Sequence, residues 1–395
     1  MKTVDHFNFE NKKALIRVDF NVPLDDQLQV TDPTRIEAAK PTILKILEDG
    51  GAAILMSHLG RPKAQEDEFS MKHICSKVSE IIGVEVIFVP NCVGDEAEKA
   101  AANLEMGQIL LLENLRYHKE ETAGDVAFAK ALSTLGDIYV NDAFGTAHRA
   151  HASTTIIAQF FPENKCFGKL LSKEIESLDR VLNNSEKPVL AILGGAKVSS
   201  KITVIENILD KVDALIIGGG MAYTFIKAQG GKIGDSICED DKMELALDIL
   251  KAAEEKNVTV HLPIDVLAAD DFSESANTKM VDITQIPDGW QGLDAGPGST
   301  QLFDAVVQSA KTILWNGPLG VFEMAPFAGA TIALGNSIAD ATKNGAFSLV
   351  GGGDSVSAVK QFGFEHKVSY VSTGGGAMLE MLEGKTLPGI AAILE

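Results

Sequence analysis

Short apolar runs alternate with amphipathic stretches through the first part of the chain. The runs predict strands at residues 14–20, 52–57, 84–89, 109–112 and 137–140. Between them, apolar residues recur at helical spacing over 34–47 and 71–82. Asp32-Pro33 precedes the first of these helices, and this pair predicts an N-cap followed by proline at the first helical position. Strands alternating with helices predict a parallel sheet covered by helices on both faces.

The same alternation returns in the second part of the chain. Its apolar runs predict strands at 189–193, 214–217, 258–262, 312–315, 346–350 and 368–372. Between the two parts, apolar residues at helical spacing over 171–182 and the polar turn 183–188 predict a connecting helix and a hinge. The expected fold class is therefore α/β, with two doubly wound parallel-sheet (Rossmann-like) domains, 1–170 and 189–379, joined by 171–188.

Composition limits the classes of partner. The formal net charge of −20 argues against nucleic acid or an anionic membrane, because both need a basic surface. No apolar run approaches the ~18 residues of a membrane span, and the first residues have no signal-peptide pattern. The four cysteines lie far apart and form no C-x-x-C pair, which is typical of reduced thiols. We expect a cytoplasmic protein.

The arginines are unevenly distributed along the chain. None occurs beyond position 180. The predicted strands of the first part of the chain end in polar and basic residues, at 19–21, 58–61, 113–116 and 141–149. Ligands of open parallel sheets bind beyond the carboxyl ends of the strands. Any single arginine could simply pair with a surface acid, but the repeated pattern predicts a pocket for a small, multiply charged anion. His148 and His151 could bind a metal, although no third ligand is evident.

Glycine follows the predicted strands of the second part. The junctions are 194–195, 218–220, 316–320, 351–355 and 373–376. Backbone amides and helix ends approach a ligand closely at such turns, which suits nucleotides and polyphosphates. No G-x-G-x-x-G pattern indicates a dinucleotide. Asp354, at a predicted helix start, is either an N-cap or a ligand of Mg²⁺ beside bound phosphates.

Residues 189–201 lie near the middle of the chain and read as a strand, a glycine turn and a helix start. Lys197 and Lys201 are four residues apart, so the pattern predicts both on one face of the first helical turns. Two cations there would suit a phosphate, although the junction could also be a plain structural turn. The spacing does not fit a P-loop.

Six motifs together resemble the phosphoglycerate kinase family. They are RVDFNVP at 17–23, SHLGRP at 57–62, NDAFGTAHR at 141–149, LGGAKVSSK at 193–201, WNGP at 315–318 and GGGDS at 351–355. The resemblance extends over nearly the whole chain. It implies a monomeric glycolytic enzyme that transfers a phosphoryl group between 1,3-bisphosphoglycerate and Mg-ADP, giving 3-phosphoglycerate and ATP. It also implies that the C-terminal segment, about 380–395, returns to the first domain, and that the two domains face each other across a cleft.

The resemblance assigns residues to both substrates. The 3-phosphoglycerate contacts would be Asp19, Asn21, Arg35, His58, Arg61, Arg116 and Arg149. The nucleotide contacts would be Lys197, Lys201, Gly218, Gly219, Gly220, Gly292, Asn316, Glu323, Gly351, Gly352, Gly353, Asp354 and Ser355. Asp354 would bind Mg²⁺.

The expected chemistry needs no general base, because a carboxylate is already ionised at neutral pH. Catalysis then consists of positioning and charge stabilisation of the phosphoryl group during transfer, after the domains close. We expect Arg35 and Lys197 to contact that group, with the amides of Gly374, Gly375 and Gly376. Two rival hypotheses are a non-catalytic binding protein for a phosphorylated metabolite and another ATP-dependent kinase or acyl-phosphate enzyme.

Overall fold

The computed structural model describes residues 1–395 and divides them into two compact units. The first unit comprises Met1–Glu176 and Thr386–Glu395, and the second comprises Ser177–Lys385. The division falls inside one helix, Lys169–Leu182. No helix of the chain combines the length and the apolar character that crossing a bilayer requires.

A six-stranded parallel sheet forms the centre of the first unit. Its strands are β1 (Lys13–Val18), β2 (Ala52–Met56), β3 (Val86–Val89), β4 (Ile109–Leu112), β5 (Ile138–Asp142) and β6 (Lys165–Phe167), in the order β3-β4-β2-β1-β5-β6. Its helices are α1 (Thr34–Glu48), α2 (Lys72–Ile82), α3 (Asp95–Asn103), α4 (Lys119–Ala123), α5 (Val126–Ser133) and α6 (Lys169–Leu182). The predicted parallel sheet is confirmed. The three-residue strand β6 was not predicted, because it is too short to show a pattern.

Burial on both faces explains why the strands of this sheet could be read as apolar runs. Every residue of β2 and β4 is buried. Strand β1 pairs with β2 on one side and with β5 on the other, so the direction of the connections changes between β1 and β5. This topological switch point is where open sheets bind ligands. The segments that follow β1 and β5 therefore flank the expected site.

The second unit contains a second six-stranded parallel sheet and two smaller ones. Its strands are β7 (Val189–Leu193), β8 (Ala214–Ile217), β9 (Lys232–Ile233), β10 (Thr259–His261), β11 (Asp265–Ala269), β12 (Thr278–Asp282), β13 (Gln285–Ile286), β14 (Gln291–Ala295), β15 (Thr312–Asn316), β16 (Phe347–Val350) and β17 (Tyr370–Val371). The main order is β10-β8-β7-β15-β16-β17. Its helices are α7 (Ile202–Ile208), α8 (Met221–Ala228), α9 (Met243–Glu255), α10 (Pro297–Ser309), α11 (Gly329–Lys343), α12 (Gly353–Gln361) and α13 (Gly375–Leu382). The last helix, α14 (Pro388–Leu394), belongs to the first unit.

The smaller sheets of the second unit were not predicted from the sequence. An antiparallel sheet has the order β12-β11-β14, and β9 pairs with β13. Strand β12 alternates between exposed and half-buried positions, and its two apolar residues, Met280 and Val281, are flanked by polar ones, so it has no apolar run. The switch point of the main sheet lies between β7 and β15, because β8 follows on one side and β16 on the other.

One predicted helix start is wrong. Helix α7 begins at Ile202, so Lys197 lies in a loop and Lys201 occupies the N-cap position. The serines of this loop bond elsewhere: Ser199 N donates to Glu239, and Ser200 Oγ donates to the carbonyl of Lys197 at 2.8 Å. Such local side-chain bonds compete with helix formation.

Helix α1 begins at Thr34, as the apolar pattern over 34–47 predicts, but Pro33 takes the N-cap position rather than the first helical position. The Asp32 carboxylate accepts from Thr34 N at 2.9 Å, two residues ahead, so the acidic side chain still satisfies a backbone donor at the start of the helix.

Candidate functional site

The first unit contains a cavity of about 720 Å³ at the carboxyl ends of its strands, which we name the basic cavity. It is lined by Arg61, Pro62, Lys63, Arg116, Tyr117, His118, Lys119, Glu120, Thr122, Arg149 and His151. Three of the predicted substrate contacts, Arg61, Arg116 and Arg149, are among these residues. The structure thus brings together guanidinium groups from three segments that are distant in sequence, which suits a multiply charged anion.

A hydrogen-bonded cluster joins the end of β1 to α1. Arg35 Nη1 donates to the carbonyl of Asn21 at 2.7 Å and lies 3.4 Å from Asp19 Oδ1. The side-chain oxygen of Asn21 accepts from Gly60 N at 2.8 Å. In turn, the carbonyl of Gly60 accepts from Arg116 Nη1 at 2.8 Å. Gly60 therefore links the Asp19, Asn21 and Arg35 cluster to the basic cavity.

Burial and nearby positive charges lower the pKa values of His58 and His151. The pKa of His58 lies well below its usual value, because the ring is buried and the cations Arg17 and Arg116 lie nearby. The same causes lower the pKa of His151 to about 4. The pKa of the Arg116 guanidinium is also lowered, mainly by burial. Both histidines are thus neutral at pH 7, and each has one ring N–H that can donate to an anion's oxygen.

Sequence reasoning missed a buried network next to this cavity. Arg17 is only 1% exposed, and its guanidinium contacts Ser153 and His58. Glu121, also 1% exposed, bonds to Ser153. In the sequence, Arg17 is visible only as the first residue of the motif at 17–23. Nothing in the sequence marks Glu121 or Ser153 as its partners.

The second unit contains a pocket of about 570 Å³, which we name the glycine-rich pocket. It is lined by Gly195, Ala196, Gly219, Gly220, Tyr223, Ile237, Phe272, Gln291, Gly292, Leu293, Pro318, Leu319, Gly320, Val321, Glu323, Met324 and Asp354. Five predicted nucleotide contacts are among them: Gly219, Gly220, Gly292, Glu323 and Asp354. Apolar side chains and peptide backbone form most of the wall, with a few polar groups, as is typical of pockets for flat organic ligands.

The loops after β7 and β15 cross at the switch point, and the crossing requires glycine. Gly317 has φ of +123°, and a Cβ there would lie 2.2 Å from the carbonyl oxygen of Gly194. A Cβ on Gly194 would lie 2.0 Å from the carbonyl oxygen of Pro318. Glycines of the predicted junctions 194–195 and 316–320 thus allow two backbone segments to pack directly against each other.

A polar group lies where β15 ends. Asn316 is 1% exposed; its Nδ2 donates to the carbonyl of Gly351 at 2.9 Å, and its Oδ1 accepts from Lys201 Nζ. Gly317 N donates to Ser355 Oγ at 2.5 Å. Burial lowers the pKa of Lys201, and Asp354 opposes the shift. The structure therefore brings four predicted nucleotide contacts together: Lys201, Asn316, Gly351 and Ser355.

Helices α12 and α13 begin next to each other. Asp354 lies in the first turn of α12, whose N-cap is Gly352, and Gly374 is the N-cap of α13. A Cβ on Gly375 would lie 3.4 Å from Gly353 N. Unbonded amides at two helix N-termini favour a negatively charged ligand. Lys197 is exposed in the loop after β7.

No group of three or more metal-ligating side chains occurs in the chain. The pair His148 and His151 therefore lacks the third ligand that a protein-held transition metal would need. Asp354 is exposed and lines the glycine-rich pocket, as does the carboxylate of Glu323. One carboxylate fits Mg²⁺ that is held mainly by phosphate oxygens and water.

With two parallel-sheet α/β units, one holding the basic cavity and the other the glycine-rich pocket, the chain matches enzymes of the kinase class. The family model for phosphoglycerate kinase matches residues 4–385. The chain belongs to the phosphoglycerate kinase family, and its function is that of a phosphoglycerate kinase, a phosphotransferase of glycolysis.

Named relatives cover the whole chain. It is 54% identical to phosphoglycerate kinase of Porphyromonas gingivalis, with 99% of each chain covered. It is 50% identical to cytosolic phosphoglycerate kinase of Triticum aestivum, covering 100% of this chain and 98% of the relative. Among solved structures, phosphoglycerate kinase from Coxiella burnetii superposes with a TM-score of 0.91 at 41% identity, covering 99% of this chain and 98% of the other.

Proposed function

We propose that the first unit binds 3-phosphoglycerate or 1,3-bisphosphoglycerate and that the second binds ADP or ATP. The main support is the division of chemistry between the units: the arginines of the basic cavity lie in one, and the glycine-rich pocket lies in the other. Phosphate and carboxylate groups suit clustered guanidinium groups, whereas a nucleoside suits a partly apolar pocket beside helix N-termini.

The assigned 3-phosphoglycerate contacts act in two groups. Arg61, Arg116 and Arg149 supply positive charge around the basic cavity. Asp19 and Asn21 hold Arg35 through the bonds described above, so the guanidinium is oriented before substrate binds. Orientation in advance lowers the entropy that must be lost on binding.

The nucleotide assignment follows the polar group at the end of β15. Lys201 and Asn316 would contact phosphate oxygens, and the amides at the starts of α12 and α13 would contact the rest of the phosphate chain. The base and ribose would lie between Gly292 and Glu323 in the glycine-rich pocket. Asp354 would hold Mg²⁺, which neutralises phosphate charge when MgATP or MgADP is bound.

We propose that catalysis requires no proton transfer by the protein. The carboxylate of 3-phosphoglycerate is ionised at neutral pH and can attack the terminal phosphorus of ATP directly. Arg35 and Lys197 would stabilise the phosphoryl oxygens during transfer, together with the amides of Gly374–Gly376. Lys197 suits this role because it lies in an exposed loop, where its ammonium group is accessible to a ligand.

The two substrates are assigned to different units, so in-line transfer requires the units to bring them together. We propose that residues 171–188 act as the hinge and that closure removes water from the reacting groups. We also propose a cytoplasmic enzyme, which the four free cysteines support, and a monomer, which the family resemblance implies.

The assignment of the catalytic cations can be tested by trapping the product. The enzyme is supplied with 3-phosphoglycerate, MgATP and hydroxylamine, which converts an acyl phosphate into a coloured hydroxamate. Arg35→Ala and Lys197→Ala should each lower turnover by about 100-fold or more. Lys251→Ala, which removes an exposed lysine of α9, should retain full turnover. Near-normal turnover in either of the first two variants would refute the assigned roles.

A further inference from the structure

Four buried side chains behind the basic cavity form one continuous hydrogen-bonded chain. They are Glu121, Ser153, Arg17 and His58, with exposed fractions of 1%, 0%, 1% and 3%. Arg17 Nε donates to Ser153 Oγ at 2.9 Å, and Oγ donates to Glu121 Oε1 at 2.6 Å. On its other side, Arg17 Nη2 lies 3.2 Å from His58 Nδ1.

The donors and acceptors in the bonds from Arg17 to Ser153 and from Ser153 to Glu121 follow from the single proton of the serine hydroxyl. A serine hydroxyl has one proton, and the carboxylate of Glu121 can only accept it. The oxygen lone pairs of Ser153 are then left to accept from Arg17 Nε. Glu121 Oε2 also accepts from Ser153 N at 3.0 Å, and the carbonyl of Ser153 accepts from Tyr139 at 2.8 Å, so the position of the serine is fixed. A buried guanidinium needs such a linked carboxylate, because an uncompensated buried charge is costly.

The third bond determines the state of the histidine. A guanidinium has donors only, so the contact with Arg17 requires His58 Nδ1 to accept. The ring is then neutral, with its single proton on Nε2. Arg116 and Arg35 add positive charge nearby, which further opposes an imidazolium. With Nδ1 occupied, only Nε2 of His58 remains for a substrate, and it can only donate.

We propose that Glu121 and Ser153 are positioning residues for substrate recognition: they orient Arg17, which fixes His58 as the tautomer that donates from Nε2 to an oxygen of 3-phosphoglycerate. This inference rests on the proposed role of His58 as a substrate contact. It assigns functions to two residues that do not touch the substrate, and it explains why a buried arginine lies beside a buried histidine.

The tautomer can be measured without substrate. Protein labelled with ¹⁵N-histidine is examined by NMR, and His58→Asn identifies the His58 signals. Wild type should show a protonated Nε2 and an unprotonated Nδ1. Ser153→Ala and the shape-preserving Glu121→Gln should instead show a mixture of tautomers. Ser70→Ala is the matched control, because Ser70 Oγ donates to buried Glu113 at 2.7 Å and no arginine takes part. It should leave the His58 signals unchanged.

Kinetics then test recognition. Ser153→Ala should lower kcat/KM for 3-phosphoglycerate by about 10-fold, since bonds to charged groups are lost, while KM for MgATP stays unchanged. A wild-type Nδ1–H tautomer, or an unchanged tautomer in both Ser153→Ala and Glu121→Gln, would overturn the proposal. Normal affinity of His58→Asn for 3-phosphoglycerate would refute the substrate contact itself, a result that is distinct from either tautomer outcome.

Discussion

Asp294 should make the second unit less stable as pH rises, and replacing it with asparagine should remove this effect. The side chain is 3% exposed, at strand β14, and its Oδ2 accepts from Ala330 N at 2.9 Å. The other oxygen, Oδ1, has no hydrogen-bond partner. Burial raises the pKa of this carboxyl from 3.8 to about 7, although the bond from Ala330 opposes the shift.

The sign of the effect follows from proton binding. Between pH 3.8 and about 7, the folded state keeps a proton on Asp294 that the unfolded state has lost. The free energy of unfolding therefore falls as pH rises through this window and levels off above it. The ordinary and raised pKa values imply a cost of about 2 kcal/mol at pH 5 and about 4 kcal/mol at pH 8. Asp294→Asn should thus gain about 2 kcal/mol relative to wild type between these two conditions.

Urea unfolding followed by tryptophan fluorescence can measure this difference. Both tryptophans, Trp290 and Trp315, lie in the second unit, so the signal reports the unit that contains Asp294. Asp282→Asn is the matched control: this exposed carboxyl bonds to Thr284, and its pKa is lowered. It is ionised throughout the range, so its effect should not change between pH 5 and pH 8. A stability difference for Asp294→Asn that is equally independent of pH would refute the reasoning.

Two further substitutions test the nucleotide assignment by calorimetric titration with ADP. Gly320→Ala would place a Cβ 2.0 Å from Asp294 Oδ1, so the wall of the glycine-rich pocket must move and affinity should fall by about 10-fold. Gly329→Ala, whose Cβ would meet nothing nearer than 3.4 Å, should bind normally. Lys201→Ala removes a cation and leaves the buried Asn316 Oδ1 without its donor, so affinity should fall by about 10-fold or more. Unchanged affinity in Lys201→Ala would exclude this lysine as a phosphate contact.

The strands that carry the sites could be predicted because parallel sheets are buried on both faces. Strand β7 has the predicted limits, Val189–Leu193, since all five of its residues are buried and apolar. The antiparallel sheet could not be predicted, because β12 is polar and its pairing with β11 depends on contacts outside either segment. This part of the chain nevertheless supplies Phe272 and Leu293 to the wall of the glycine-rich pocket.

The wrong start of α7 has a similar origin. Lys197 and Lys201 have the spacing of neighbours on a helix, and the sequence shows nothing against a helix after Gly195. The competing bond from Ser199 goes to Glu239, forty residues along the chain, and becomes visible only when the fold brings them together. Consequently the two lysines lie in different environments, one exposed and one half-buried against Asn316.

The counter-charge of Arg17 shows a deeper limit of sequence reasoning. Confinement of the arginines to one part of the chain predicts a basic site, and burial of one arginine then requires a buried acid. Yet Glu120 and Glu121 are adjacent in the short helix α4, and the sequence does not distinguish them. Successive side chains on a helix point about 100° apart around its axis. Glu120 therefore reaches the basic cavity, whereas Glu121 points inward to Ser153. The helical phase that separates these roles is set by packing, so the acid that positions Arg17 can be identified only from the folded chain.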